Sequence, residues 1–425
     1  MTIINGNYKE YKLANGLIVA LQNTPTQTIS AKLRINQGSI HEKEGEEGMA
    51  HFLEHCLITG GSRKYNPIQA DELRGTFGYS NAFTGLGRTF FIGDMLSKDL
   101  KKWLDFTSQH ALYPRFEKDR VNGERERVLR EISDAKSGPS YNVDKEFNGL
   151  FYRDHPKGRF VLGSEEVVKK ADTEKIQRFH DRGFHPNNME LILAGELPEN
   201  TECMIEKYFG KQTAGENTRI KFPNLQALPE KVIVRRPAKE RLNFEKPEES
   251  SAQIFLTFAA PNETHPDSYA VKTMSQILGG DTNSRLFQNL GLKKGLAYRV
   301  ASSYNGDYNA GELHISANVQ ATRIEEAVNA IFDELNGLKT KKVDAKHIER
   351  IKKYAEYNLA KTFDSNEGHV SAIEAKMDYD LTPESYIEGY GKVTADKVLK
   401  MAKKYLPDRE TGKYLLYIRN PLQDK

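Results

Sequence analysis

The sequence predicts an α+β protein of two related domains, each an antiparallel-rich mixed sheet packed with helices. Three observations carry this. The chain has 425 residues, more than one ordinary core accommodates. Its first half interleaves short β-rich runs with segments of helical periodicity. Its second half repeats that outline in the same order. The domains are expected at 1–225 and 226–425.

The first half opens with strands at Tyr8 to Leu13, Leu17 to Gln22 and Thr28 to Ile35. The first two are joined at Asn15-Gly16, a strong hairpin signal. A Glu- and Gly-rich loop, Gly38 to Gly48, leads into an apolar helix beginning near Met49. A helix follows at Ile68 to Thr76, with Asn66-Pro67 at its start. Tyr79 to Phe83 and Thr89 to Asp94 form a hairpin, then come helices at Ser97 to Leu112, Phe116 to Ala135, Asp144 to Phe151 and Thr173 to Arg182. The strand Met189 to Ala194 and a helix near Cys203 to Phe209 close the domain. Residues 211–230 carry Gly215, Asn217, Pro223 and Pro229 with little apolar periodicity and read as the linker.

In the second half, Val232 to Arg236 and Ala252 to Ala259 answer the opening strands. The helix from His265 to Leu278 answers the one near Met49. Ile324 to Leu335 and Ala345 to Lys361 answer the two helices that follow the hairpin, and Glu349 and Glu356 repeat a seven-residue glutamate interval found in the first half. Ala395 to Leu406 and Lys413 to Ile418 answer Thr173 to Arg182 and Met189 to Ala194.

Composition excludes several classes. Net charge is +3 with 28% charged residues of both signs, which argues against a nucleic-acid binder. Mean hydropathy is −0.66 and no apolar run is long enough to span a membrane. The start, Met1 to Glu10, lacks the basic-then-apolar form of a secretory signal. Two cysteines, Cys56 and Cys203, are too few for a disulfide framework. A cytoplasmic protein without membrane or nucleic-acid partners is expected.

The chemistry concentrates in Gly48-Met49-Ala50-His51-Phe52-Leu53-Glu54-His55-Cys56-Leu57. On a helix, His51, Glu54 and His55 project from one face, while Phe52, Leu53, Cys56 and Leu57 bury the rest. Two neutral imidazoles beside a carboxylate suit a catalytic zinc, and H-x-x-E-H is the inverted zincin spacing. Because this spacing also arises by chance, a third ligand is required. Asn122 to Ile132 supplies candidates: Glu124 and Glu131, seven residues apart, lie on nearly one helical face, whereas Glu126 lies off it. His155, His180 and His185 have no partners at ligand spacing and read as structural or surface residues.

These residues resemble the pitrilysin, insulinase and mitochondrial processing peptidase family of inverted zincins. Leu13-Ala14-Asn15-Gly16-Leu17, Gly38-Ser39, Asn81-Ala82-Phe83-Thr84 and His185-Pro186-Asn187-Asn188-Met189 extend the resemblance over nearly the whole chain. The resemblance implies His51, His55 and Glu131 as ligands of one Zn2+ per chain, Glu54 as the general base, and Glu124 as support for the site. It makes the strand around Asn81, Ala82 and Phe83 an edge onto which an extended peptide substrate adds as a further strand.

The same resemblance implies a clamshell of which this chain is half, the second domain covering substrate without binding metal. In active members an arginine and a tyrosine seven residues apart project from the second domain onto the peptide. Tyr298 matches the tyrosine, but the arginine position is Gly291. The chain is therefore either a homodimer that manages without that arginine or the metal-bearing half of a heterodimer whose related partner brings Arg and Tyr. The implied function is a zinc-dependent endopeptidase acting on short unfolded peptides. The alternative is a non-catalytic structural or substrate-presenting subunit of a peptidase complex, against which the intact His51, Glu54, His55, Glu124 and Glu131 stand.

Overall fold

The computed structural model describes residues 7–307 and 309–423, which form two compact units. The first unit takes the described residues up to 142, with 159–221 and 360–383; the second takes 143–158, 222–359 and the described residues from 384. The main boundary thus falls at 221/222, near the expected 225, but each unit also includes a segment from the other half of the sequence. None of the helices among the described residues is long and apolar enough to cross a membrane.

The first unit contains β1 (Tyr8–Lys12), β2 (Ile18–Asn23), β3 (Thr28–Ile35), β4 (Gly61–Ser62), β5 (Tyr79–Thr84), β6 (Thr89–Leu96), β7 (Pro114–Arg115) and β8 (Met189–Gly195). Six of them form one sheet in the order β1-β2-β8-β3-β6-β5, and β4 pairs with β7 in a separate short ladder. Only β2 and β8 run parallel within the six-stranded sheet. The predicted β1–β2 turn has Gly16 at φ +96°, and a Cβ there would lie 2.7 Å from Asn187 Cβ. Both the left-handed backbone and the close approach require glycine.

Strand β8 is buried along its whole length, as a central strand covered on both faces must be. Leu191 and Leu193 face one core together with Leu33, Phe52, Leu53, Leu57 and Trp103. Ile192 and Ala194 face the other way with Ala20, as the two-residue period requires. What covers this second face is the helix Asn366–Tyr379, through Val370 and Ile373. Sequence reasoning assigned no element there.

A buried ion network fastens that helix. Arg34 is fully buried, with Nε 3.0 Å from Glu190 Oε2 and its guanidinium also paired with Asp378. Arg88 donates to both carboxylate oxygens of Asp378 at 2.7 and 2.9 Å, and Lys32 pairs with Glu374 at 2.7 Å. A buried guanidinium is tolerable only while its counter-charges stay in place.

The second unit contains β9 (Val232–Pro237), β10 (Ser251–Ala259), β11 (Ala297–Asp307), β12 (Ala310–Gln320) and β13 (Leu415–Asn420), ordered β11-β12-β10-β13-β9 with β9 and β13 parallel. This is the first sheet without β1, so the predicted repeat is present strand for strand. The helix Tyr141–Phe151 packs on this sheet: Phe151 and Phe147 join Val234, Leu415 and Tyr417. Glu146 there accepts from Arg236 and, at 2.6 Å, from the Tyr417 hydroxyl. The expectation that this helix belongs to the first domain is corrected for residues 143–151, whose contacts through Glu146, Phe147 and Phe151 place them in the second unit.

Asp378→Ala leaves the buried Arg34 and the part-buried Arg88 short of a carboxylate. A loss of about 3 kcal/mol is expected in urea unfolding, with a smaller loss for Asp378→Asn, which keeps the hydrogen-bond acceptor.

Candidate active site

Two helices build the site. The first, Met49–Thr59, begins at Gly48, whose φ of +94° turns the chain into the helix. No cap side chain sits at Gly48; instead Glu42 reaches back, and the Ala50 N–H donates to its Oε1 at 2.9 Å. Met49, Ala50, Phe52, Leu53, Cys56 and Leu57 are buried in the core, which fixes the rotation of the helix. His51 and His55 are left at the edge of that core with ring centroids 4.7 Å apart and planes at 76°. The second helix, Lys118–Ser137, buries Val121, Glu124, Val128 and Ile132. Glu131, one turn on from Val128, stays 42% exposed and reaches the imidazoles.

Glu131 Oε2 lies 3.7 Å from His51 Nε2 and 3.5 Å from His55 Nε2. One donor atom from each of the three residues lies within 4.8 Å of the others, the only such His/Cys/Asp/Glu group among the described residues. His155, His180 and His185 lie outside it. Glu124 Oε2 is 3.2 Å from His55 Nδ1, which turns Nε2 of that ring towards Glu131. Arg127 lies 3.3 Å from Glu124 Oε1. Cys56 is buried as expected, and both cysteines are free.

The electrostatics suit a cation. Burial, with the neighbouring His55, pushes His51 down to about 4, so it is a neutral imidazole at neutral pH. Burial alone would lower His55 too, but the hydrogen bond to Glu124 and the charges of Glu54, Glu131 and Glu124 outweigh it and raise the pKa. Glu124 is held below the usual carboxylate range: burial opposes this, but His55, Thr59 and Arg127 prevail. Three carboxylates thus surround two imidazoles, a donor set that fits a divalent metal with nitrogen and oxygen ligands. Glu54 is outside the donor group. It is buried, burial pushes it up to about 7, and Thr84 Oγ1 donates to its Oε2 at 3.1 Å.

That threonine ends β5, the edge strand of the sheet, which pairs only with β6. Asn81 and Phe83 are exposed on this edge, whereas Ala82 is buried; Phe83 stacks on Phe90 at 4.3 Å. The free edge therefore ends at the carboxylate of Glu54. Thr84, Glu42, Thr59 and Arg127 were not singled out from the sequence as supports of the site, because their roles depend on contacts across loops and helices.

Tyr298 is the second residue of β11 and 84% exposed. Gly291 lies in the short helical segment Phe287–Lys293, and a Cβ there would meet nothing closer than 3.7 Å. Packing does not impose glycine at this position.

The second unit holds a changed copy of the site. In the helix Ser268–Gly279, buried Ala270 and Val271 precede part-exposed Lys272, then buried Thr273 to Ser275 precede exposed Gln276. This repeats the burial of Met49 to His55 except that Gln276 is more exposed than His55, placing Lys272, Ser275 and Gln276 where His51, Glu54 and His55 stand. In the helix Ala345–Thr362, buried Ile348, Ile351 and Ala355 repeat the spacing of Val121, Glu124 and Val128. Ile351 and Asn358 thus take the places of Glu124 and Glu131. The expected correspondence of Glu349 and Glu356 is corrected: both are exposed, two residues out of phase with the buried face.

Comparison with known proteins agrees with this arrangement. Residues 18–165 match the family model described as Insulinase (Peptidase family M16), and residues 170–354 match the model described as Peptidase M16 inactive domain. The chain belongs to the M16 peptidase family. A Bacillus subtilis relative, described as the uncharacterized zinc protease YmxG, is 26% identical over 365 residues, 85% of this chain and 86% of that protein. A Rickettsia bellii relative, also described as an uncharacterized zinc protease, is 26% identical over 416 residues, 96% and 97% of the two chains. Among solved structures, a protease from Helicobacter pylori superimposes with a TM-score of 0.84 at 18% identity, covering 97% of this chain and 99% of that one. An M16 inactive-domain structure from Pseudomonas fluorescens gives 0.82 at 18% identity, covering 99% of each. At these identities the structural likeness speaks to the fold, and the expected pair of α+β domains is the M16 fold.

The raised pKa of Glu54 has a thermodynamic consequence in the metal-free protein. Its folded value is about 7 against 4.5 when unperturbed. The protonated form is thus favoured by folding, a contribution present below about pH 4.5 and lost as pH rises through 7. Glu54→Gln removes the charge, so the metal-free variant should be more stable than the parent at pH 8 by on the order of 1–3 kcal/mol. The difference should shrink towards pH 5, read by urea titration in chelator.

Proposed function

We propose that the chain is a zinc-dependent endopeptidase acting on short, unfolded peptides. The observation that carries this reading is the meeting of His51, His55 and Glu131 beside a separate, buried Glu54 at the end of a free sheet edge. His51, His55 and Glu131 would hold the zinc. When bound, zinc acts as a Lewis acid that polarises the scissile carbonyl and brings the pKa of water towards neutrality.

The remaining work belongs to side chains. Glu54 takes a proton from the attacking water on its carboxylate and returns it to the leaving amine. A carboxylate with a pKa near 7 exchanges protons readily at neutral pH, and the hydrogen bond from Thr84 fixes which oxygen faces inward. Glu124 orients the His55 ring through Nδ1. Strand β5 offers its unpaired backbone groups to an extended peptide, with Asn81, Ala82 and Phe83 along the contact. Such pairing makes little demand on side-chain sequence and excludes folded chains. Tyr298 is the proposed hydrogen-bond donor to the developing oxyanion.

The working assembly in this reading is a dimer that encloses the peptide. The missing arginine at Gly291 favours a heterodimer with a related chain that supplies Arg and Tyr over a self-sufficient homodimer.

Purified chain loaded with zinc and given a quenched mixed-sequence peptide library tests the reading, with particle mass measured alongside. Cleavage is expected from a two-chain particle, either of this chain alone or after the related partner is added. Glu54→Gln should bind zinc normally and lose at least about 100-fold in turnover. Normal turnover by that variant would refute the role of Glu54, and failure to bind zinc would refute the whole reading.

A further inference from the structure

The second unit keeps the two helices that frame the metal site in the first, but the residues between them differ in kind. Where Glu124, His55 and Thr59 meet in the first unit, Ile351, Gln276 and Gly280 stand at the corresponding positions of the second. A cavity of about 520 Å³ opens there, lined by Gln276, Gly280 and Asp281 from the end of one helix and by Arg350, Lys353, Tyr354 and Tyr357 from the other.

Its chemistry is that of an anion acceptor. Arg350 donates one guanidinium N–H to Asp281 Oδ2, which consumes the cavity's carboxylate and leaves other guanidinium N–H groups for a ligand. Lys353 is exposed, and no partner for its ammonium is present among the described residues. Tyr354 and Tyr357 are 57% and 61% exposed, one helical turn apart. Their hydroxyls likewise have no partner among the described residues.

The lining thus carries two cations against one anion, and its unused groups are mostly donors. A carboxylate offers only acceptors, and charge-assisted bonds from guanidinium and ammonium are the strongest available to it. The two tyrosine rings give such a ligand a broad amphipathic surface at small entropic cost.

We propose that this cavity is a recognition site for a peptide carboxylate, so that the second domain's altered copy of the metal site binds an acidic residue or the free C-terminus of a peptide. The inference rests on the peptidase reading only in taking the ligand to be a peptide. Lys353 is the discriminating cation, since Arg350 is partly engaged by Asp281.

The test measures binding to full-length Glu54→Gln protein by calorimetry, with three otherwise identical heptapeptides. One is capped at both ends with a central Glu, one is capped with a central Gln, and one carries the central Gln with a free C-terminal carboxylate. The capped Glu peptide or the free-acid peptide should bind about fivefold more tightly than the capped Gln peptide, an advantage that shrinks in salt. Which of the two does so identifies the source of the carboxylate. Adding Lys353→Glu, on an exposed position where folding is undisturbed, should abolish the advantage, and Lys353→Arg should restore it. Equal affinity for all three peptides, or an advantage that survives Lys353→Glu, overturns the proposal. Hydrolysis by the unmodified chain is scored separately. Cleavage without a carboxylate preference overturns this site alone, and a Lys353-dependent preference in a chain that binds no zinc upholds it while the peptidase reading falls.

Discussion

The site depends on holding two histidines and one glutamate from different helices at a common point. The helix Met49–Thr59 cannot rotate, because Phe52, Leu53 and Leu57 are locked into the core of the first sheet. The helix Lys118–Ser137 is locked in turn by Val121, Val128 and Ile132. Between them, Glu124 is buried against His55 and is the polar contact that ties one helix to the other. Remove that contact and His51 and His55 remain, but the orientation of His55 relative to Glu131 is no longer specified. A buried carboxylate whose charge is stabilised by an imidazole and a guanidinium is costly to assemble. It sits beside His55, a member of the donor group.

The environment divides labour among chemically similar groups. Glu131 is half exposed and joins the donor set; Glu54 is buried, unligated and pushed towards a neutral-range pKa; Glu124 is buried but held ionised. Three glutamates thus sit in three different environments set by burial and partners, the kind of difference that general acid–base chemistry exploits. In the second unit the same backbone frame carries Lys272, Ser275, Gln276, Ile351 and Asn358. An ammonium, a hydroxyl, two amides and an alkyl group make no divalent metal site, which fits a family in which the second domain is described as inactive.

Much of this was legible in the sequence because it is local. The i, i+3, i+4 spacing of His51, Glu54 and His55 fixes a common face, and the seven-residue spacing of Glu124 and Glu131 fixes another. The β1–β2 hairpin follows from Asn15-Gly16. What the sequence hid was non-local. The helix Asn366–Tyr379 is bound to the first sheet by Asp378 and Glu374, whose partners Arg34, Arg88 and Lys32 lie 290 residues or more away in sequence. Likewise the affinity of Tyr141–Phe151 for the second sheet rests on Arg236 and Tyr417. The repeated glutamate spacing at Glu349 and Glu356 misled because spacing alone does not give helical phase; the buried residues Ile348, Ile351 and Ala355 do.

X-ray absorption at the zinc edge, on the purified chain reconstituted with one equivalent of zinc, tests the central claim most directly. The account predicts one tightly held ion with two imidazole nitrogens and light oxygen donors at about 2.0–2.2 Å, and loss of one imidazole in His51→Ala. A sulfur ligand near 2.3 Å from Cys56 or Cys203, or a spectrum unchanged by His51→Ala and Glu131→Ala, would contradict it.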